Sequence, residues 1–307
     1  MTPAMNRYPA FVKLVEVGPR DGLQNEKSLV PASVKVGLIE RLQTAGLKHL
    51  EVTSFVSPKW VPQMADNTEV MSALTRRPDV VYSVLTPNLQ GFEAALKTKP
   101  NEIVVFGSAS EAFSQKNINC GVAESMDRFA PVVHAALAEG IRVRGVISCC
   151  VGCPYEGDIA PERVAWVAQA MRNMGVQHLG IADTIGVGTP LKIQRAMGAA
   201  LTHFALADVS GHFHDTYGQA LSNTLAALEM GIQQFDTAVG GLGGCPYAKG
   251  ATGNVATEDV VYLLQGMGID TGVNLEALIH AGAYIGAHLN RPTGSRVARA
   301  LLAKREH

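Results

Sequence analysis

The sequence has few cysteines, and its positive and negative charges nearly cancel. Its five cysteines are an odd number in a chain of 307 residues, which is not typical of a disulfide-stabilised secreted domain. Lys and Arg together number 26 and Asp and Glu number 27, so the net charge is −1. This balance argues against electrostatic binding to nucleic acid or to an anionic membrane. We therefore expect reduced thiols, no nucleic-acid partner and no membrane partner.

Long apolar runs are also missing from the sequence. It has no stretch of about twenty apolar residues, the length that a membrane-spanning helix needs. The first residues, Met1 to Pro9, contain neither an apolar signal core nor an Arg- and Ser-rich transit segment. We therefore expect a cytoplasmic protein without a transmembrane helix.

Short runs rich in Val and Ile alternate with helical patterns, as expected for strands that are buried on both faces of a parallel sheet. Strands are predicted near 12–18, 49–55, 80–86, 102–107, 142–149, 178–183, 208–214 and 234–239. Helices are predicted near 33–45, 66–76, 89–98, 124–139, 161–174, 190–204, 218–230 and 257–267. Eight strand–helix units favour an α/β fold of the (β/α)8 TIM-barrel type. Because periodicity cannot show closure, an open doubly wound sheet is the alternative.

The chain is expected to form one domain over residues 1–307. No linker, low-complexity segment or short repeat divides it. Two further helical patterns, about 274–288 and 294–303, predict additional C-terminal helices over about 270–307 that cap or flank the barrel, or build a subunit contact. A polar connection from Gln115 to Val122 follows the fourth strand and could cover the rim as a binding loop.

Three polar motifs stand at the ends of the first, seventh and eighth predicted strands. They are Gly18-Pro19-Arg20-Asp21-Gly22, His212-Phe213-His214-Asp215, and Gly240-Gly241-Leu242-Gly243-Gly244-Cys245 with Asn254 beyond it. In a closed barrel the eighth strand pairs with the first, so these motifs would meet at one rim. An arginine, a carboxylate, two imidazoles, an amide and a thiol at one rim would have the composition of a metal-assisted active site.

The two histidines are the strongest indication of a metal site. His212 and His214 are two residues apart, which places both rings on one face of a strand and turns Phe213 toward a helix. Such a pair at a strand end favours metal ligands over hydrogen-bonded core histidines. Asp21 would add a carboxylate oxygen, and Asn254 would either add an amide oxygen or serve only as a turn residue. These donors suit Mg²⁺ or Mn²⁺ better than structural Zn²⁺.

Four more residues are candidates for the chemistry. Arg20 would stabilise an enolate or carboxylate oxygen, or would only orient a loop through a salt bridge. Cys245 could bring a thiol to the substrate as a proton donor on its glycine-rich loop, or could be inert packing. Glu51 and Asp183 lie on predicted strands and could hold Arg20 or a ligand histidine, although for Asp183 a turn is an equal alternative.

The sequence resembles the 3-hydroxy-3-methylglutaryl-CoA (HMG-CoA) lyase family from Val12 to about Asn290. Five blocks carry the resemblance: VEVGPRDGLQNE at 15–26, TSFVSPKW at 53–60, GCPYEG at 152–157, HDTYGQA at 214–220 and GLGGCPYA at 241–248. The family belongs to a wider group of metal-dependent barrel lyases and Claisen-type synthases.

This resemblance implies a lyase that cleaves HMG-CoA to acetyl-CoA and acetoacetate by retro-Claisen chemistry with Mg²⁺ or Mn²⁺. The metal ligands that it implies are Asp21, His212, His214 and Asn254. It further implies catalytic roles for Arg20 and Cys245 and supporting roles for Glu51 and Asp183. We expect His212 or Asp21, which would lie near the metal, to act as the base. We expect an acyl-CoA substrate and a homodimer or higher homo-oligomer. The alternatives are a Claisen-type synthase that uses an α-keto acid and a non-catalytic barrel that binds acyl-CoA or metal.

Overall fold

Eight parallel strands form a closed barrel in the computed structural model, which describes residues 8–244 and 252–304. The strands are β1 (Lys13–Glu16), β2 (His49–Ser54), β3 (Val81–Leu85), β4 (Glu102–Ser108), β5 (Arg142–Ser148), β6 (His178–Asp183), β7 (Val209–Phe213) and β8 (Gln234–Thr237). β1 pairs in parallel with β8, with Lys13 opposite Gln234 and Glu16 opposite Thr237. This pairing closes the sheet, so the barrel prediction is confirmed and the open-sheet alternative is wrong.

Helices surround the barrel, and most of them bury apolar residues against it or against a neighbouring helix. They are α1 (Ala32–Thr44), α2 (Asn67–Ala73), α3 (Leu89–Leu96), α4 (Glu111–Ile118), α5 (Val122–Ala138), α6 (Pro161–Met174), α7 (Pro190–Ala200), α8 (Ala220–Glu229), α9 (Thr257–Gly266), α10 (Leu275–Leu289) and α11 (Arg296–Ala303). Within the described ranges, none of these helices combines the length and the apolar character needed to cross a bilayer.

The polar connection predicted from Gln115 to Val122 is wrong in part, because it overlaps two helices. α4 runs to Ile118 and α5 begins at Val122. The Ser110 hydroxyl caps α4 by accepting a hydrogen bond from the Phe113 amide at 3.0 Å. α4 buries few side chains, so its sequence has little of the apolar periodicity that indicates a helix, and the segment was predicted as a loop.

The last two helices flank the barrel and support the segment after β8. α10 packs against α1, where the Arg41 guanidinium carbon lies 3.8 Å from the centroid of the Tyr284 ring. At the start of α11, the Val297 amide donates to Asp259 Oδ1 of α9 at 3.0 Å. Between these helices, the Gly294 amide donates to the carbonyl oxygen of Gly240 at 2.8 Å. The predicted C-terminal helices are therefore present beside the barrel.

Charged and polar side chains occupy part of the barrel interior. Arg144 of β5 contacts Asp236 of β8, and His49 of β2 contacts Glu102 of β4. Neither pair of strands is adjacent in the barrel order, so each side-chain contact crosses the interior. This differs from the branched aliphatic layers that usually fill such barrels.

Candidate active site and metal centre

The chain turns sharply after β1, so that Arg20 and Asp21 both lie at the barrel rim. Residues Gly18–Gly22 form one turn of π-helix, whereas successive residues on a regular strand would face opposite sides. Arg20 Nε donates to Glu51 Oε1 at 2.6 Å, and Arg20 Nη1 donates to Asp21 Oδ1 at 2.8 Å. The predicted irregular turn is therefore present, and Glu51 holds the guanidinium in place.

His212 and His214 lie side by side at the end of β7. Their ring centroids are 5.4 Å apart. Phe213 between them is buried and packs against Phe235, with 6.3 Å between ring centroids. Asp21 and the two histidines each place one ligand atom within 4.8 Å of the others. In the described part of the chain, no other group of three His, Cys, Asp or Glu residues meets this spacing.

Asn254 joins this cluster from the segment beyond the glycine-rich loop. It forms an isolated β-bridge with His214, and its Nδ2 donates to Asp21 Oδ2 at 2.9 Å. The close approach requires glycine at 253, because a Cβ there would lie 2.7 Å from the carbonyl oxygen of Gly241. Asn254 therefore lies beside Asp21 and His214, and its role as a metal ligand stays a prediction.

Two atoms of this cluster are unusual in lacking a partner. Asn254 Oδ1 and His214 Nδ1 are buried and accept or donate no hydrogen bond among the described residues. Buried polar atoms normally have such a partner. A carboxylate, two imidazoles and an amide oxygen form a donor set that suits Mg²⁺ or Mn²⁺. The residues present therefore fit a divalent cation.

Burial and the neighbouring charges together set the protonation states of Asp21 and His214. Burial disfavours the anion of Asp21, but Arg20 and the two histidines outweigh this effect and lower the pKa of Asp21 to about 2. Burial and the neighbouring His212 lower the pKa of His214 to about 4. At neutral pH Asp21 is therefore ionised and His214 is neutral, which are the forms that bind a metal ion.

Asp236 is part of this site, although the sequence motifs did not reveal it. Asp236 Oδ2 lies 3.0 Å from His212 Nδ1. Burial lowers the pKa of His212, but the hydrogen bond and the charge of Asp236 outweigh burial, so the pKa is raised. The sequence did offer a signal, which was a charged residue in the middle of a predicted buried strand. Arg144 of β5 is a second residue of this kind.

Asp183 makes different contacts from those predicted. Its Oδ1 accepts a hydrogen bond from the Val187 amide at 3.1 Å, and its Oδ2 accepts one from the Gly188 amide at 2.8 Å. These bonds stabilise the turn after β6 and are not made to Arg20 or a histidine. Burial raises the pKa of Asp183 to about 6. The turn alternative therefore describes its hydrogen bonds, and a catalytic role stays a prediction.

Cys245 lies outside the described residues, so its predicted role stays a prediction. The start of its loop is held by Glu258 of α9, whose Oε2 accepts a hydrogen bond from the Gly240 amide at 2.9 Å. Glu16 of β1 holds the same region, because its Oε1 accepts the amides of Gly18 and Val239, each at 2.9 Å. Two buried glutamates thus anchor the segments that follow β1 and β8.

Known proteins resemble this chain over nearly its whole length. A family model described as HMGL-like matches residues 11–285. The chain is 56% identical over 296 residues to 3-hydroxy-3-isohexenylglutaryl-CoA/hydroxy-methylglutaryl-CoA lyase of Pseudomonas aeruginosa, covering 96% of this chain and 99% of that relative. It is 54% identical over 299 residues to human mitochondrial hydroxymethylglutaryl-CoA lyase, covering 97% and 92%. A crystal structure of hydroxymethylglutaryl-CoA lyase from Pseudomonas aeruginosa matches with a TM-score of 0.95 at 55% identity, covering 97% of this chain and 99% of that chain.

Proposed function

The chain belongs to the HMGL-like family, and we propose that it is a carbon–carbon lyase that cleaves HMG-CoA to acetyl-CoA and acetoacetate. One observation carries this proposal. Ligand atoms of Asp21, His212 and His214 converge within 4.8 Å of one another, and Asp21 is hydrogen-bonded to the Arg20 guanidinium. The similar proteins from Pseudomonas aeruginosa and human are hydroxymethylglutaryl-CoA lyases, which act on the same substrate.

The proposed metal ligands are Asp21, His212, His214 and Asn254. A bound Mg²⁺ or Mn²⁺ supplies Lewis-acid stabilisation of negative charge on substrate oxygens. The unpartnered Asn254 Oδ1 and the low pKa values of Asp21 and His214 support this assignment.

Cleavage begins when the C3 hydroxyl of HMG-CoA loses its proton. The candidate bases are His212 and Asp21, which lie together in the cluster. A His212 ring that donates Nδ1–H to Asp236 and binds the cation through Nε2 has no free lone pair, which favours Asp21. The electron pair left on oxygen forms the ketone of acetoacetate as the C2–C3 bond breaks. The electrons of that bond move into the thioester group, which becomes an enolate.

Arg20 is the group proposed to stabilise the enolate oxygen. Its Nε and one Nη1 proton are bound by Glu51 and Asp21, which leaves further N–H donors of the guanidinium for substrate. Because these two carboxylates already fix the guanidinium, it needs no reorganisation when negative charge develops. Cys245 is proposed to protonate the enolate carbon, which yields acetyl-CoA.

The test is product release from HMG-CoA by the purified protein. We expect equal amounts of acetoacetate and acetyl-CoA, loss of this activity on chelation, and recovery when Mg²⁺ or Mn²⁺ is restored. A parallel assay supplies acetyl-CoA with an α-keto acid. Condensation in that assay, without cleavage of HMG-CoA, would instead establish the synthase alternative.

We further propose that residues 1–307 act as one catalytic domain and associate as a homodimer or higher homo-oligomer. The contacts of α10 with α1 and of Gly294 with Gly240 support one domain. A groove near α11, lined by Leu221, Tyr262 and Met267, is the candidate surface for the subunit contact. Light scattering during gel filtration checks the oligomer. The cytoplasmic location stays a prediction that cell fractionation checks.

A further inference from the structure

A buried ion pair inside the barrel contacts one histidine of the metal-ligand cluster. Arg144 and Asp236 are 0% and 1% exposed. Arg144 Nη2 binds both carboxylate oxygens of Asp236 and lies 3.2 Å from Ser210 Oγ. The pair spans the interior from β5 to β8, so its geometry is set by the closed barrel and not by a mobile loop.

The other side of the Asp236 carboxylate faces His212. Asp236 lies opposite His212 in the register of β7 and β8, and Asp236 Oδ2 is 3.0 Å from His212 Nδ1. An ionised carboxylate only accepts hydrogen bonds. His212 Nδ1 therefore carries the proton, and the lone pair of the neutral ring is on Nε2.

We propose that Asp236 is a positioning residue for the metal centre, which fixes His212 in the tautomer that offers Nε2 to the cation. Arg144 keeps the Asp236 carboxylate aimed at the ring. The inference rests on the proposed metal-dependent function. Partners of this kind orient a ligand histidine and increase its basicity, and their removal typically costs about 10–100-fold in metal affinity or activity.

The two histidines of the cluster differ in whether Nδ1 has a hydrogen-bond partner. His214 Nδ1 has no hydrogen-bond partner in the described residues, whereas His212 Nδ1 is held by Asp236. Stability alone does not account for the ion pair, because well-packed apolar residues often replace such pairs without loss of stability. An orienting role explains why the carboxylate lies against this ring.

The first test compares Asp236→Asn with the matched variant Glu102→Gln. Both carboxylates are 1% exposed inside the barrel, but Glu102 binds His49 Nε2 at 2.8 Å and does not contact the cluster. We expect Asp236→Asn to weaken Mn²⁺ binding about 10–100-fold in calorimetry and to lower kcat with little change in KM. Glu102→Gln should bind Mn²⁺ like the wild type.

A second measurement does not depend on the variant folding. In ¹⁵N NMR of the wild-type protein in alkaline solution, the neutral His212 ring should be protonated at Nδ1 and not at Nε2. Protonation at Nε2, or wild-type Mn²⁺ affinity in folded Asp236→Asn, would overturn the inference. Neither the Mn²⁺ calorimetry nor the NMR measurement uses HMG-CoA, so failure of the wild-type protein to cleave HMG-CoA would refute the proposed substrate without deciding the role of Asp236.

Discussion

Replacing Arg20 with Met removes the guanidinium but keeps an unbranched side chain. If Arg20 stabilises the enolate oxygen, kcat should fall by about 10²–10³, which corresponds to about 2.7–4 kcal/mol of transition-state stabilisation. KM for HMG-CoA should change little, since the interaction strengthens only as charge develops on the thioester oxygen.

The same substitution has a cost in stability. Glu51 is 1% exposed, and its Oε1 accepts a 2.6 Å hydrogen bond from Arg20 Nε. Removing one partner of a buried ion pair costs about 3–5 kcal/mol. Lost activity in Arg20→Met could therefore reflect unfolding. The double variant Arg20→Met/Glu51→Gln removes the unpaired buried charge and should recover part of the free energy of unfolding while kcat remains low.

The assays are initial rates at saturating Mn²⁺ and HMG-CoA, and chemical denaturation of each variant. Arg128→Ala is the control, because Arg128 is an exposed α5 residue paired with Glu124; it should change neither quantity appreciably. A folded double variant whose kcat lies within about tenfold of the wild type would refute the role of Arg20.

Three further perturbations test other parts of the site. His214→Ala should weaken Mn²⁺ binding, and unchanged affinity in calorimetry would remove it from the ligand set. Gly253→Ala should also weaken Mn²⁺ binding, because the new Cβ would lie 2.7 Å from a carbonyl oxygen of the glycine-rich loop and displace the adjacent Asn254; wild-type affinity would contradict this. Burial raises the pKa of Glu16 to about 7 and that of Glu258 to about 8, from 4.5. The folded state therefore binds these two protons more tightly than the unfolded state does. The contribution of the two carboxyls to stability is complete below pH 4.5 and is lost as pH rises through 7 for Glu16 and through 8 for Glu258. The loss is at most about 1.4 kcal/mol per pH unit for each proton. Gln at either position should flatten this slope in denaturation experiments, and an unchanged slope would show that the two carboxyls do not cause it.

The barrel was predictable because buried parallel strands and amphipathic helices have distinct local periods. Closure depends instead on the pairing of β1 with β8, which joins Lys13 to Gln234. No local pattern encodes that contact. α4 was missed for a related reason, since its short sequence buries little apolar surface and its start depends on the Ser110 cap.

The site was partly predictable on the same grounds. The two-residue spacing of His212 and His214 places their rings on one face whatever the rest of the chain does. Asp236 was not found, because its role comes from contacts with Arg144 across the interior and with His212 on the adjacent strand. The sequence could not show whether Asp183 accepts hydrogen bonds from the turn after β6 or contacts Arg20 or a histidine at the rim, because both are possible for a carboxylate at a strand end.

The central claim is that Asp21, near the start of the chain, binds one divalent cation together with residues at the end of β7 and after β8. Anomalous diffraction from crystals of the Mn²⁺-loaded protein examines this claim directly. We expect one peak at coordination distance from a carboxylate oxygen of Asp21, His212 Nε2, a ring nitrogen of His214 and Asn254 Oδ1. A fully occupied Mn²⁺ elsewhere on the protein, with these four side chains uncoordinated, would contradict it.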